Sequence, residues 1–208
     1  MHNYHQPLIP GESYHLFSRA VGNEKLFKSQ ENYRYFLNKF DSHTNRVAGL
    51  YTYSLIPNHF HLLVRIKSAE TIILFYEEIK QKPFDPLVTN LSDFIMERFS
   101  NWLNGYTKAF NKMYRRKGSL FMDYLRRSHA KNDADFANFV FYLHKNAVHH
   151  GLTKTIGDWE WDGYKILLND LPNQLLRKEL LEFFGGEDAF VKYHERTIES
   201  KAEDWVDI

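Results

Sequence analysis

The chain has 208 residues, 43% of them hydrophobic and 16% aromatic, which excludes an intrinsically disordered protein and suits one ordinary core with appendages. Cysteine is absent, which excludes disulfides, thiolate metal sites and cysteine nucleophiles and makes a cytoplasmic compartment the expectation; no run of about 18 apolar residues or secretory leader occurs, so membrane association is not expected. The net charge of +1 hides a segregation, with Lys112, Arg115, Arg116, Lys117, Arg126, Arg127 and Lys131 facing only Asp123 in the middle of the chain and Glu187 to Ile208 rich in acids.

In chain order, Glu12 to Arg19 alternates and meets Val21-Gly22-Asn23, which predicts a strand and a turn. Ser29 is an N-cap candidate, and Tyr33, Phe36, Leu37 and Phe40 recur at helical spacing up to about Thr44. Gly49 to Ile56 and His59 to Ile66 predict two strands joined through Pro57-Asn58. Thr71 to Lys80 suggests a short helix, and the two prolines of Gln81 to Leu87 mark a surface excursion. Leu91 to Tyr114 carries apolar residues at spacings that give a long amphipathic helix, ended by Arg115-Arg-Lys-Gly118. Ser119 to Arg127 is expected as a strand, Asp133 to His149 as a helix stopped at Gly151, and Leu175 to Phe184 and Asp188 to Arg196 as short C-terminal helices. Strand, helix, hairpin, helix, strand, helix points to an α+β fold of ferredoxin-like character, a mostly antiparallel sheet flanked by helices.

The hairpin carries chemistry. Side chains at i and i+2 of a strand leave the same face, so His59 and His61 can converge on one divalent cation while Phe60 enters the core. Two imidazoles leave coordination positions open, which suits Lewis-acid polarisation of a phosphodiester oxygen. Either histidine alone would read as a half-buried, hydrogen-bonded imidazole. On the helix from Asp133 to His149, the residues Phe136, Phe139, Val140, Leu143 and Ala147 form the apolar stripe. Tyr142 and Asn146 lie one above the other at its edge. If this helix covers the end of the sheet that bears the histidines, the Tyr142 phenol can attack a phosphorus and the Asn146 amide oxygen can supply a third ligand. A phenol is a weak nucleophile at its ordinary pKa of about 10, but a covalent phosphotyrosine stores the energy of the broken phosphodiester for resealing. The basic segment, interleaved with Tyr114, Phe121 and Tyr124, reads either as a solvated face or as a surface for phosphates and bases.

Ile56-Pro-Asn-His-Phe-His-Leu-Leu-Val64 resembles the signature of the HUH single-tyrosine transposases, especially the group associated with repetitive extragenic palindromes. Arg115-Arg-Lys-Gly-Ser-Leu-Phe121 is similar to that family's basic lead into its next strand, and Tyr142-Leu-His-Lys-Asn146 with Val148-His-His-Gly-Leu152 to its tyrosine helix. The resemblance covers roughly residues 14–164. It implies a Mg²⁺ or Mn²⁺ site at His59 and His61, Asn146 as third ligand, and Tyr142 as nucleophile forming a 5′-phosphotyrosine on single-stranded or hairpin DNA. Lys112, Arg115, Arg116, Lys117, Arg126 and Arg127 become candidates for the DNA surface, and a homodimer is admitted because family members can build sites from two subunits. Residues 1–155 would form the catalytic domain, with an insertion at about 68–88, and residues 156–208 a helical extension packed on it. Besides that insertion, two features depart from the family pattern: Ala147 stands where proline often follows the asparagine, so the helix is expected to run on toward His149, and Trp159-Glu-Trp-Asp-Gly-Tyr164 only partly matches the downstream tryptophan, two serines and tyrosine. The alternatives are a non-catalytic or domesticated nucleic-acid-binding protein on the same fold and a replication or mobilisation nickase.

Overall fold

The computed structural model describes residues 5–122, 125–169 and 174–195. Its elements are β1 (Ser13–Arg19), α1 (Gln30–Thr44), β2 (Ala48–Ile56), β3 (His59–Ile66), α2 (Ala69–Lys80), α3 (Leu91–Met113), β4 (Arg126–His129), α4 (Asp133–His149), α5 (Tyr164–Leu167), α6 (Arg177–Phe184) and α7 (Glu187–His194). The four strands pair antiparallel in the order β2-β3-β1-β4, the order of a ferredoxin-like sheet. The fold is α+β, as the sequence predicts.

Alternation divides the sheet into two faces. Tyr14, Leu16, Tyr53, Leu55, Phe60, Leu62 and Val64 pack with Phe36, Phe40, Phe99, Trp102 and Tyr106 of α1 and α3. Leu63 and Tyr51 pack instead with Phe136, Phe139, Val140 and Leu143 of α4 and with Leu180, Leu181 and Phe190 of α6 and α7. A bulge between Leu50 and Thr52 turns both Tyr51 and Thr52 toward α4, because an extra residue in one strand shifts the alternation by one.

The predicted strand over Ser119 to Arg127 is corrected to β4 at Arg126–His129. Leu120 is buried in the α1/α3 core, Phe121 makes only an isolated bridge to Ala20, and Asp123 and Tyr124 lie outside the described residues. Alternating apolar residues here mark an extended segment held by the buried Leu120 side chain and by two backbone bonds, Val21 N to Leu120 O and Met122 N to Arg19 O, rather than a continuous strand. The C-terminal helices begin at Arg177 and Glu187, and Arg196 and the rest of the acidic tail lie outside the described residues. Between α4 and α5, Trp161 to Gly163 runs along the outer side of β2, with Trp161 O accepting from Leu55 N and Gly163 N donating to Tyr53 O.

Candidate active site

β3 starts at His59 directly after the Pro57-Asn58 turn, and alternation sends His59 and His61 to the α4 face. The two rings are 5.1 Å apart and nearly perpendicular. Each is fixed through Nδ1: His59 Nδ1 lies 3.0 Å from Asn58 Oδ1, and His61 Nδ1 lies 2.9 Å from His15 Nε2. His61 Nε2 is buried without a hydrogen-bond partner, an arrangement that costs about 1–3 kcal/mol unless something binds there. Burial pushes the pKa of His59 down to about 3, with repulsion from His150, Arg19 and His149 adding to it. The same desolvation holds His61 well below the usual imidazole range and lowers His15 to about 3. All three rings are therefore kept neutral, the form that ligates metals.

α4 begins at the Asn132 cap, whose side chain accepts from Asp135 N, and runs through Ala147 to His149 as expected from the missing proline. The Tyr142 ring stands edge-on to His61 at 5.3 Å and 5.9 Å from His15. Asn146, expected at the solvent boundary, is fully buried. Its Oδ1 accepts from Ser54 Oγ at 3.4 Å and its Nδ2 reaches Tyr142 Oη at 3.5 Å, long contacts that leave the amide oxygen with coordinating capacity. Ser54, His61 and Phe17 are directly opposed across neighbouring strands, so the amide sits over the row that contains His61. Among the described residues no three His, Cys, Asp or Glu side chains converge on a metal position. The residues that could hold an ion are His59 and His61 through imidazole nitrogen and Asn146 through its amide oxygen, which would leave positions for water or a phosphate oxygen.

Between Tyr142 and Asn146 on α4 sits His144: His194 Nδ1 donates to Phe190 O at 2.8 Å, which leaves its Nε2 to accept from His144 Nδ1 at 2.8 Å and His144 Nε2 to accept from Thr52 Oγ1 at 2.7 Å. A carbonyl can only accept, so every proton in this chain is assigned. It ties α4 to β2 and α7 at His144, two residues before Asn146.

The basic candidates separate by environment. Lys112, Arg115 and Lys117 are exposed, and Arg115 ends α3 at a φ of 51°, a left-handed position that glycine occupies without cost. Arg116 instead bonds Glu24 Oε1, Asn111 Oδ1 and the carbonyls of Gly118 and Ser119. Arg127 is 7% exposed and donates to the carbonyls of Gln6 and His5. These two guanidinium groups hold loops together, which corrects their expected place on an exposed basic surface. Arg126 is directly opposite Phe17, in the row that contains His61.

Sequence reasoning missed His15, Ser54, Asn58 and Arg19. Arg19 is directly opposite His59, with Cα atoms about 5 Å apart in such a pair, and its charge adds to the lowering of the His59 pKa. A cavity of about 340 Å³ lined by Ser13, Tyr51, Lys131, Asp133 and Glu179 lies elsewhere. Ser13 is six residues along β1 from Arg19, the partner of His59, and four from Phe17, the partner of His61, which sets it roughly 20 Å and roughly 13 Å along the strand from the two histidines.

No protein-family model and no curated protein matches the sequence. Among solved structures, a REP-associated tyrosine transposase bound to a REP hairpin superposes with a TM-score of 0.59 and 15% identity, over 90% of this chain and 98% of that one. The chain has the fold of that transposase. No described helix is long and apolar enough to cross a membrane.

Proposed function

We propose that this protein is a metal-dependent HUH single-tyrosine transposase or endonuclease of the REP-associated group, cleaving and rejoining single-stranded DNA at palindromic hairpins. The reading is carried by the meeting of Tyr142, Asn146 and His61 beside His59 within one chain. The fold shared with a transposase that holds a REP hairpin supports it. His59, His61 and Asn146 would hold Mg²⁺ or Mn²⁺, which when bound polarises the scissile phosphate.

Tyr142 Oη attacks the phosphorus, and the new bond between them replaces the bond from phosphorus to the 3′ oxygen. The phenol proton goes to solvent, and the 3′ oxygen takes up a proton and leaves as a hydroxyl. Resealing is the same exchange with another 3′-hydroxyl. Arg19 and Arg126, on the histidine face of β1 and β4, offset charge on the phosphate, while Lys112, Arg115 and Lys117 contact flanking DNA. Residues 1–155 carry the chemistry, and the described part of residues 156–208 braces it. The same reading puts the protein with DNA in the cytoplasm and admits a homodimer.

Labelled hairpin DNA incubated with Mn²⁺ should become covalently attached to the protein, and Tyr142→Phe should abolish the adduct without lowering the melting temperature. An adduct that persists in the variant overturns the assignment of the nucleophile. DNA binding with no adduct in any divalent cation would favour a non-catalytic binding protein instead.

A further inference from the structure

We propose that His15 is a positioning residue that decides which nitrogen of His61 is offered to the metal. The assignment rests on the metal reading of His59 and His61. His15 lies on β1 two residues before Phe17, whose partner across the ladder is His61, so the two imidazoles are diagonal neighbours on the α4 face. Their rings are 5.0 Å apart and 28° from parallel, with His15 Nε2 2.9 Å from His61 Nδ1. His15 is 1% exposed and surrounded by the rings of Phe17, Phe139 and Tyr142.

A neutral imidazole carries one N–H, so this contact has two versions. In the first, His15 Nε2–H donates to His61 Nδ1, and the His61 proton sits on Nε2, where it blocks coordination. In the second, His61 Nδ1–H donates to His15 Nε2, which leaves the His61 Nε2 lone pair open and puts the His15 proton on Nδ1. The two outer atoms, His15 Nδ1 and His61 Nε2, are both buried without hydrogen-bond partners. Each version therefore strands one N–H and one lone pair, and hydrogen bonding alone favours neither. An ion at His61 Nε2 breaks the tie, because only the second version can bind it. His15 is then the acceptor that keeps the His61 proton away from the ion.

Asn58 does the same for His59 without ambiguity, since its Oδ1 can only accept from Nδ1–H. Two neighbouring ligands are thus both presented through Nε2, one by a turn amide and the other by an imidazole. Partners of this kind are worth about 10- to 100-fold in metal affinity.

Mn²⁺ titrated into the full chain and followed by calorimetry, or by loss of the free-ion EPR signal, tests the assignment. His15→Phe should weaken Mn²⁺ binding about 10- to 100-fold. His15→Gln, whose side-chain carbonyl can accept from His61 Nδ1–H, should stay within about threefold of wild type. A purely structural role predicts that the apolar ring is tolerated at least as well as a buried amide. Nitrogen-15 spectra of the histidine rings in the wild type loaded with diamagnetic Zn²⁺ should show both His61 and His15 protonated at Nδ1. Equal Mn²⁺ affinity in wild type and folded His15→Phe, equal losses in the Phe and Gln variants, or a bound His61 protonated at Nε2 would each overturn the proposal. Should the Phe variant not fold, the Gln variant and the wild-type spectrum still decide. A wild type that takes up no Mn²⁺ removes the metal site itself, an outcome distinct from failure at His15 alone.

Discussion

Asp162 is 2% exposed, its Oδ1 accepts from Tyr164 N, and its Oδ2 has no hydrogen-bond partner. Burial pushes this carboxyl up from 3.8 to about 7. A raised carboxyl means that the folded state holds the proton more tightly than the unfolded one, so its stability contribution is complete below about 4 and is lost as pH rises to about 7. His194, lowered by burial to about 4, acts in the opposite sense: its contribution is complete above 6.5 and lost as pH falls to about 4. The two partly offset each other across the shared window. Asp162→Asn removes one of them, so its stability relative to wild type should grow by up to a few kcal/mol between about pH 4 and pH 7 and then level off. Thermal melts across that range check this, and a difference independent of pH would contradict the assigned cause. At this scale the sequence showed His59, His61 and Tyr142 because alternation and helical spacing are local. It hid His15, Arg19 and Ser54, since their relation to His59 and His61 is set by the register between neighbouring strands.

At the level of elements, most boundaries were legible. α4 spans the predicted Asp133–His149, and β3 the predicted His59–Ile66, because each is framed by turn or capping residues. The extended segment at 161–163 was not legible, since Trp161-Asp-Gly163 has no strand pattern and is held by backbone bonds to Tyr53 and Leu55. Nor was the bulge that turns Thr52 toward His144. The two meet at Gly163, where an added Cβ would collide with Thr52 Oγ1. Gly163→Ala should therefore displace the segment or Thr52, breaking the hydrogen bond to His144, at a cost of roughly 2 kcal/mol. Chemical denaturation measures the loss, and the His144 ring signals should shift in NMR spectra. A variant with unchanged stability and spectra would show that the approach relaxes freely.

For the whole molecule, charge alone misjudged which arginines face outward, because Arg127 alternates into the α3 side of the sheet whereas Arg126 stays on the histidine side. Replacing Lys112, Arg115 and Lys117 together with alanine should weaken binding of single-stranded DNA and flatten its salt dependence by about 0.7 logarithmic units for each phosphate no longer neutralised, with little effect on melting temperature. Arg127→Met should do the reverse, lowering the melting temperature by stranding the carbonyls of His5 and Gln6. Fluorescence anisotropy over a salt series and thermal melts separate the two. α4, meanwhile, is unbroken at Ala147 and tied to Thr52, Ser54 and His194. A severed strand fastened to Tyr142 would thus hang from a stationary post, and an exchange of partners would require the incoming end to be delivered there by travel of the DNA rather than by a swing of the tyrosine.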